Sequence, residues 1–182
     1  MEAACYTSAQ EVALIVDWLE QAGLTYQVNG GWAVDALAGA QTRAHRDLDV
    51  FVDAAAAPRL LAWLGERGYA IVEDWRPIRV ELTSATGRVD VHPMVIQRNG
   101  DGVQQGPGEQ VFVHAAADRV VGTIGGREVV VASAARLRSL RSGYAHREVD
   151  LHDLAVLDRL GTGRPHRAAP ISSRTRPLAP PP

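Results

Sequence analysis

Asp47-Leu48-Asp49 is the tripeptide in this chain whose residue types and spacing point most directly to chemistry. Side chains alternate along a strand, so both carboxylates share one face while Leu48 turns to the core. Carboxylates held this close suit a hard divalent cation. Magnesium takes oxygen ligands and leaves positions open for phosphate oxygens. A third aspartate lies in Arg88-Val89-Asp90-Val91-His92-Pro93, where the same alternation sends Val89 and Val91 to the core and Asp90 to the other face. If the two strands are neighbours, Asp47, Asp49 and Asp90 converge, and converging like charges call for a cation. These three are the expected catalytic and metal-binding residues.

Upstream, Gly30-Gly31 sits where a strand turns into a helix, a geometry that offers backbone N–H groups at a helix N-terminus to phosphate. Thr42-Arg43-Ala44-His45-Arg46 leads directly into Asp47 and brings hydroxyl and positive charge beside it. Gly30, Gly31, Thr42 and Arg43 are therefore the expected nucleotide contacts, with Arg46 a second arginine candidate. His92, two residues from Asp90, shares its face; it is open to substrate contact, to assisting a base, or to packing before Pro93. Glu81, on the partner strand, is an alternative general base. Asp35 reads as structural, capping the helix or pairing with a neighbouring arginine.

The elements that must hold these residues follow from periodicity. Residues 8–21 form an amphipathic helix with Val12, Ile15 and Leu19 in its stripe. Ser8 with Glu11 makes a capping box and Gly23 a stop. A short strand at 25–29 precedes a helix at 32–37, and a strand at 48–52 precedes an alanine-rich helix at 55–67. Strands at 69–73, 78–84 and 88–96 follow, the last two joined by the turn 85–87 as an antiparallel hairpin. Residues 99–108, Gly-rich and polar, read as a mobile loop. Short strands at 111–114 and 128–131 and helices at 133–142 and 149–160 complete residues 1–161 as a single domain. Beyond Gly161 the composition turns to Pro, Arg, Ser and Ala, so 162–182 is expected to be a disordered tail.

Composition sets the class. With 182 residues, 46% hydrophobic and 22% charged, the chain can bury a core without disulfides. Its lone cysteine, Cys5, forms no internal pair and reads as a bystander. A net charge of −2 offers no broad footprint to a polyanion, which argues against nucleic acid as partner. No run of 18 apolar residues and no N-terminal leader pattern is present, so a cytoplasmic location is expected and a membrane is not. All 19 basic side chains are arginine.

The run from Asn29-Gly30-Gly31-Trp32-Ala33-Val34-Asp35 through Thr42-Arg43 to His45-Arg46-Asp47-Leu48-Asp49 resembles the signature of the lincosamide and aminoglycoside 2''-adenylyltransferase group, within the polymerase-beta-like nucleotidyltransferases. Val89-Asp90-Val91-His92-Pro93 extends the match, and residues 143–153 extend it more loosely. The resemblance implies an α/β (α+β) fold: a mixed, partly antiparallel nucleotidyltransferase sheet flanked by helices, with a small C-terminal helical part. It also implies that Asp47 and Asp49 bind two Mg2+ ions, that Gly30-Gly31 holds the phosphates of ATP, and that Asp90 is third ligand, general base, or both. Tyr144 joins His92 and Glu81 as an expected substrate contact, while Arg147, Asp150 and Asp153, which resemble a family segment packed against the nucleotide side, read first as a capped helix with ion pairs. The implied activity is transfer of AMP from ATP to a hydroxyl of an aminoglycoside or lincosamide, conferring resistance. The alternatives are a regulatory nucleotide-binding protein of the same fold, or nucleotide transfer to a macromolecule.

Overall fold

In a computed structural model, which describes residues 6–161 and 166–170, the chain folds as the expected mixed sheet flanked by helices. The elements are α1 (Ala9–Gln21), β1 (Tyr26–Val28), α2 (Gly30–Ala38), β2 (Leu48–Asp53), α3 (Ala57–Glu66), β3 (Ala70–Trp75), β4 (Arg79–Ser84), β5 (Gly87–Ile96), β6 (Gly102–Gln105), β7 (Val111–His114), β8 (Arg119–Ile124), β9 (Arg127–Ala132), α4 (Ala134–Leu140) and α5 (Glu148–Leu160). The main path of the sheet runs β3-β4-β5-β2-β1-β9-β8, with β6 and β7 continuing from the far half of β5. Pairing is parallel between β2 and β5 and between β1 and β9, and antiparallel elsewhere.

Alternation decides which face each strand buries. Leu48, Val50 and Val52 of β2, Val89 and Val91 of β5, and Val80 and Leu82 of β4 are buried in one core with Ile15 and Leu19 of α1 and Leu60 and Leu64 of α3. Ser8 caps α1 by accepting from the Glu11 amide at 3.2 Å. Glu11 does not close the expected box, because its carboxylate accepts from Tyr69 Oη at 3.0 Å instead. Thr7 ties the N-terminal segment to the site, its amide donating to His45 O and its hydroxyl bonding the Arg88 backbone.

Two expectations change. The Gly-rich stretch 99–108 is no open loop, since residues 102–105 form β6, paired to both β5 and β7. Buried Gln104 anchors it: its amide nitrogen donates to His92 Nδ1 at 3.2 Å, and its oxygen accepts from His114 Nε2 at 3.0 Å. Strand β8 was not anticipated, and part of the tail lies along it, with Val121 N bonding Arg167 O and Ala169 N bonding Arg119 O. Residues 166–170 thus extend the sheet edge; the remainder of the tail, and Cys5, fall outside the described residues.

Two consequences are measurable. A Cβ on Gly122 of β8 would sit 2.8 Å from the Ala36 backbone of α2. Gly122→Ala should therefore cost about 1–3 kcal/mol, seen as a lower urea midpoint at unchanged slope. Burial, with the charges of Arg136 and Arg119 nearby, pushes the His114 imidazole down from 6.5 to about 4. The unfolded chain then takes up a proton first as pH falls, so stability is full above 6.5 and is lost between 6.5 and 4. Urea titration should show the change in stability from pH 7 to pH 5 to be about 2 kcal/mol less favourable in wild-type protein than in His114→Asn, a difference in which the contributions of other titrating groups cancel.

Candidate active site

The carboxylates gather because three strand registers coincide. Asp49 of β2 lies opposite Asp90 of β5, Asp90 opposite Glu81 of β4, and Glu81 opposite Glu73 of β3. With hydrophobic neighbours on the other face, this makes one row of acids across four strands. Ligand atoms of Asp49, Asp90 and His92 lie within 4.8 Å of one another. Asp47, just before β2, stands apart from that trio. Its carboxylate pairs with Arg46 at 2.7 Å, an exposed ion pair of the kind worth about 0–1 kcal/mol and easily rearranged.

Burial pushes the Asp90 carboxyl up to about 6, and the Asp49 charge beside it adds to the rise. Burial would raise Asp49 too, but His92 and the arginines Arg141 and Arg46 hold it below the usual carboxylate range. Asp90 Oδ2 receives Arg79 Nη1 at 2.7 Å, whereas Oδ1 is buried with no hydrogen-bond partner among the described residues. A free, buried carboxylate oxygen beside a second carboxylate costs free energy unless a cation or proton joins it. The donor set therefore fits a hard divalent ion.

His92 is fixed from behind. Its ring stacks on Phe51 at 4.3 Å, and Nδ1 accepts from Gln104, so the proton of the neutral ring resides on Nε2. That atom lies 3.5 Å from Asp49 Oδ1 and has no hydrogen-bond partner among the described residues. In this tautomer His92 is a donor to an oxygen rather than a metal ligand. Glu81 is engaged on both sides, by Arg88 at 3.3 Å and Arg79 at 3.5 Å.

At the start of α2, both glycines permit close approach. Gly30 has φ of 63°, and a Cβ there would overlap Asp49 Oδ2; on Gly31 it would overlap Arg43 Nη2 and the His45 ring. Asn29 precedes α2 without capping it through its side chain, accepting from Gln27 instead, so the first-turn N–H groups are not capped by that residue. Arg43 forms a fork with Asp153 at 2.9 and 3.0 Å, and buried Arg141 shares that aspartate at 2.7 Å. Arg43 thus brings a fixed charge to the helix N-terminus.

Thr42 is engaged elsewhere, its amide and hydroxyl both donating to Asp35 and its hydroxyl also meeting His152. Asp35 is structural, as expected, but its partners are Thr42 and His45 rather than an arginine. Burial would raise its carboxyl; the hydrogen bonds from His45 and Thr42 bring it lower. Tyr144 lies in the α4–α5 connection, about half exposed and edge-on to His146 at 5.6 Å, and no hydrogen bond joins it to the carboxylate row among the described residues. Arg147 and Asp150 form a capping box on α5, so that pair is structural, while Asp153 reaches the site through Arg43. Arg79 and Gln104 were not anticipated. Arg79 is one arginine among many in sequence, and Gln104 lay in a stretch read as a loop.

The profile of the aminoglycoside-2''-adenylyltransferase family matches residues 11–157. A lincosamide resistance protein of Staphylococcus haemolyticus is 38% identical over 106 residues, which is 57% of this chain and 66% of that protein's length. The crystal structure of the lincosamide antibiotic adenylyltransferase LnuA, lincomycin-bound, superposes with a TM-score of 0.78 at 30% identity, over 84% of this chain and 98% of that one. ANT(2'')-Ia, crystallised with adenylyl-2''-tobramycin, shares the fold at a TM-score of 0.63 and 17% identity, over 83% of this chain and 87% of that one. No helix among the described residues is long and apolar enough to cross a membrane. With the sheet, its carboxylate row and the glycine-led helix in place, the profile match settles the family: this chain is a member of the aminoglycoside-2''-adenylyltransferase family of antibiotic nucleotidyltransferases.

Proposed function

We propose that this protein transfers AMP from ATP to a hydroxyl of a lincosamide or aminoglycoside, with Asp47, Asp49 and Asp90 as its acidic site. The observation that carries the reading is the in-register pair Asp49 and Asp90, set against the uncapped first turn of α2. Nucleotidyltransferases of this family use ATP with a divalent cation; we assign two Mg2+ ions to Asp47, Asp49 and Asp90. When bound, such ions polarise the α-phosphoryl group and offset charge on the departing pyrophosphate.

The chain's own residues do the rest. The N–H groups at Gly30 and Gly31 and the charge of Arg43 hold the triphosphate against α2. The acceptor oxygen attacks the α-phosphorus as the bond to pyrophosphate breaks, and its proton moves to Asp90 Oδ1. Asp90 is favoured as base over Glu81, which two arginines engage, and over His92, whose free nitrogen carries a proton. His92 instead donates to an oxygen of nucleotide or acceptor, and the half-exposed Tyr144 is reserved for contact at the rim of the cleft.

Acceptor-dependent release of pyrophosphate from magnesium-ATP, screened over lincosamides and aminoglycosides, tests this. Wild-type protein should respond to at least one class, Asp49→Asn should match the blank, and Asp90→Asn should fall by ~10^2–10^4-fold with ATP binding retained. Near-normal turnover in Asp90→Asn would remove the base assignment. Binding of magnesium-ATP without transfer to any acceptor would leave a nucleotide-binding module.

A further inference from the structure

The acidic row does not end at Asp90. Glu81 and Glu73 carry it across β4 and β3 to the sheet edge, on the same face. Four carboxylates in line would ordinarily attract a polycation. One side chain stands in the way. The Arg79 guanidinium bonds Asp90 Oδ2 and Glu73 Oε2, each at 2.7 Å, lies 3.5 Å from Glu81, and sits 4.7 Å from the centre of the Trp75 ring.

We infer that Arg79 sets the charge of the acceptor: its guanidinium holds the place on this row that an ammonium group of a polycationic acceptor would take. The site therefore favours a hydroxyl-bearing molecule with at most one positive charge. This deepens the proposed transfer reaction and rests on it.

The charge balance supports it. The row's four acids, Asp49, Asp90, Glu81 and Glu73, stand against two arginines, Arg79 and Arg88. The unbalanced charge is left at the Asp49 and Asp90 end, where the metal is assigned, and an ammonium entering beyond it would meet the guanidinium. The geometry also shows why the guanidinium stays. It satisfies three carboxylates and an aromatic face at once, and its side chain is only 23% exposed. Trp75, by contrast, is 55% exposed beside it, an apolar plate at the outer end of the site. A sugar carrying an apolar body suits such a surface; a densely aminated sugar does not.

The test compares kcat/KM for lincomycin, a monocation, with that for polycationic tobramycin in acceptor-dependent pyrophosphate release. Wild-type protein should prefer lincomycin by at least ~100-fold. Arg79→Gln should raise the tobramycin-to-lincomycin ratio by at least ~10-fold, even if both rates fall because Asp90 loses a partner, whereas Arg79→Lys should keep the wild-type ratio. If Arg79→Gln fails to fold, Glu73→Gln on the exposed edge leaves Arg79 less compensated and should lower the ratio further. A wild-type preference for tobramycin, or a ratio unmoved by these variants while lincomycin is turned over, overturns the inference and leaves the transfer reaction standing. Turnover of neither acceptor by wild-type protein overturns both.

Discussion

Asp49 and Asp90 stand side by side because β2 and β5 pair in parallel, with Leu48 against Val89 and Val50 against Val91. Those four side chains are fully buried, at roughly 1.5–3 kcal/mol each. Two carboxylates about 4 Å apart repel by roughly 4 kcal/mol near a protein surface. Burial of the aliphatic set outweighs that repulsion, so the fold can hold two acids together without a ligand. The strain appears in Asp90, pushed up to about 6 with one oxygen left free. A slip of one residue by either strand would send its acid into the core, which is why the register is so firmly specified.

Around that pair the charges divide into two halves. At the α2 end Asp153 binds Arg43 and Arg141, so a positive fork is fixed beside the first turn of α2. Toward β4 and β3 Arg79 and Arg88 are drawn into the acidic row itself. With no lysine in the chain, both jobs fall to guanidinium groups, whose planar forks bridge two carboxylates in a fixed geometry. The glycines matter for the same reason, since each allows a charged group to approach α2 more closely than a Cβ would.

Much of this was legible in the sequence because alternation is a local signal. Asp47-Leu48-Asp49 and Val89-Asp90-Val91 each declare a buried and an open face, and the turn at 85–87 implies the β4–β5 hairpin. The sequence did not declare which strands neighbour β5 beyond that hairpin. Strand β6 escaped because Gly102-Val103-Gln104-Gln105 is short and polar, its single buried amide serving His92 rather than a hydrophobic core. Asp35 lies seven residues before Thr42 and ten before His45, a loop closure that no periodicity reveals. Arg79 was hidden by the abundance of its own type. Asp47 was grouped with Asp49 by spacing and by the family resemblance, and the structure pairs it with Arg46.

In the proposed mechanism β2 and β5 together make a cation site that operates with nucleotide. Titration of manganese, followed by electron paramagnetic resonance with a non-hydrolysable ATP analogue present, measures this directly. Wild-type protein should immobilise the metal, and Asp49→Asn, folded by circular dichroism, should bind it at least ~10-fold more weakly. Equal manganese binding in both proteins would contradict the account, because the carboxylate row would then have no part in holding the metal.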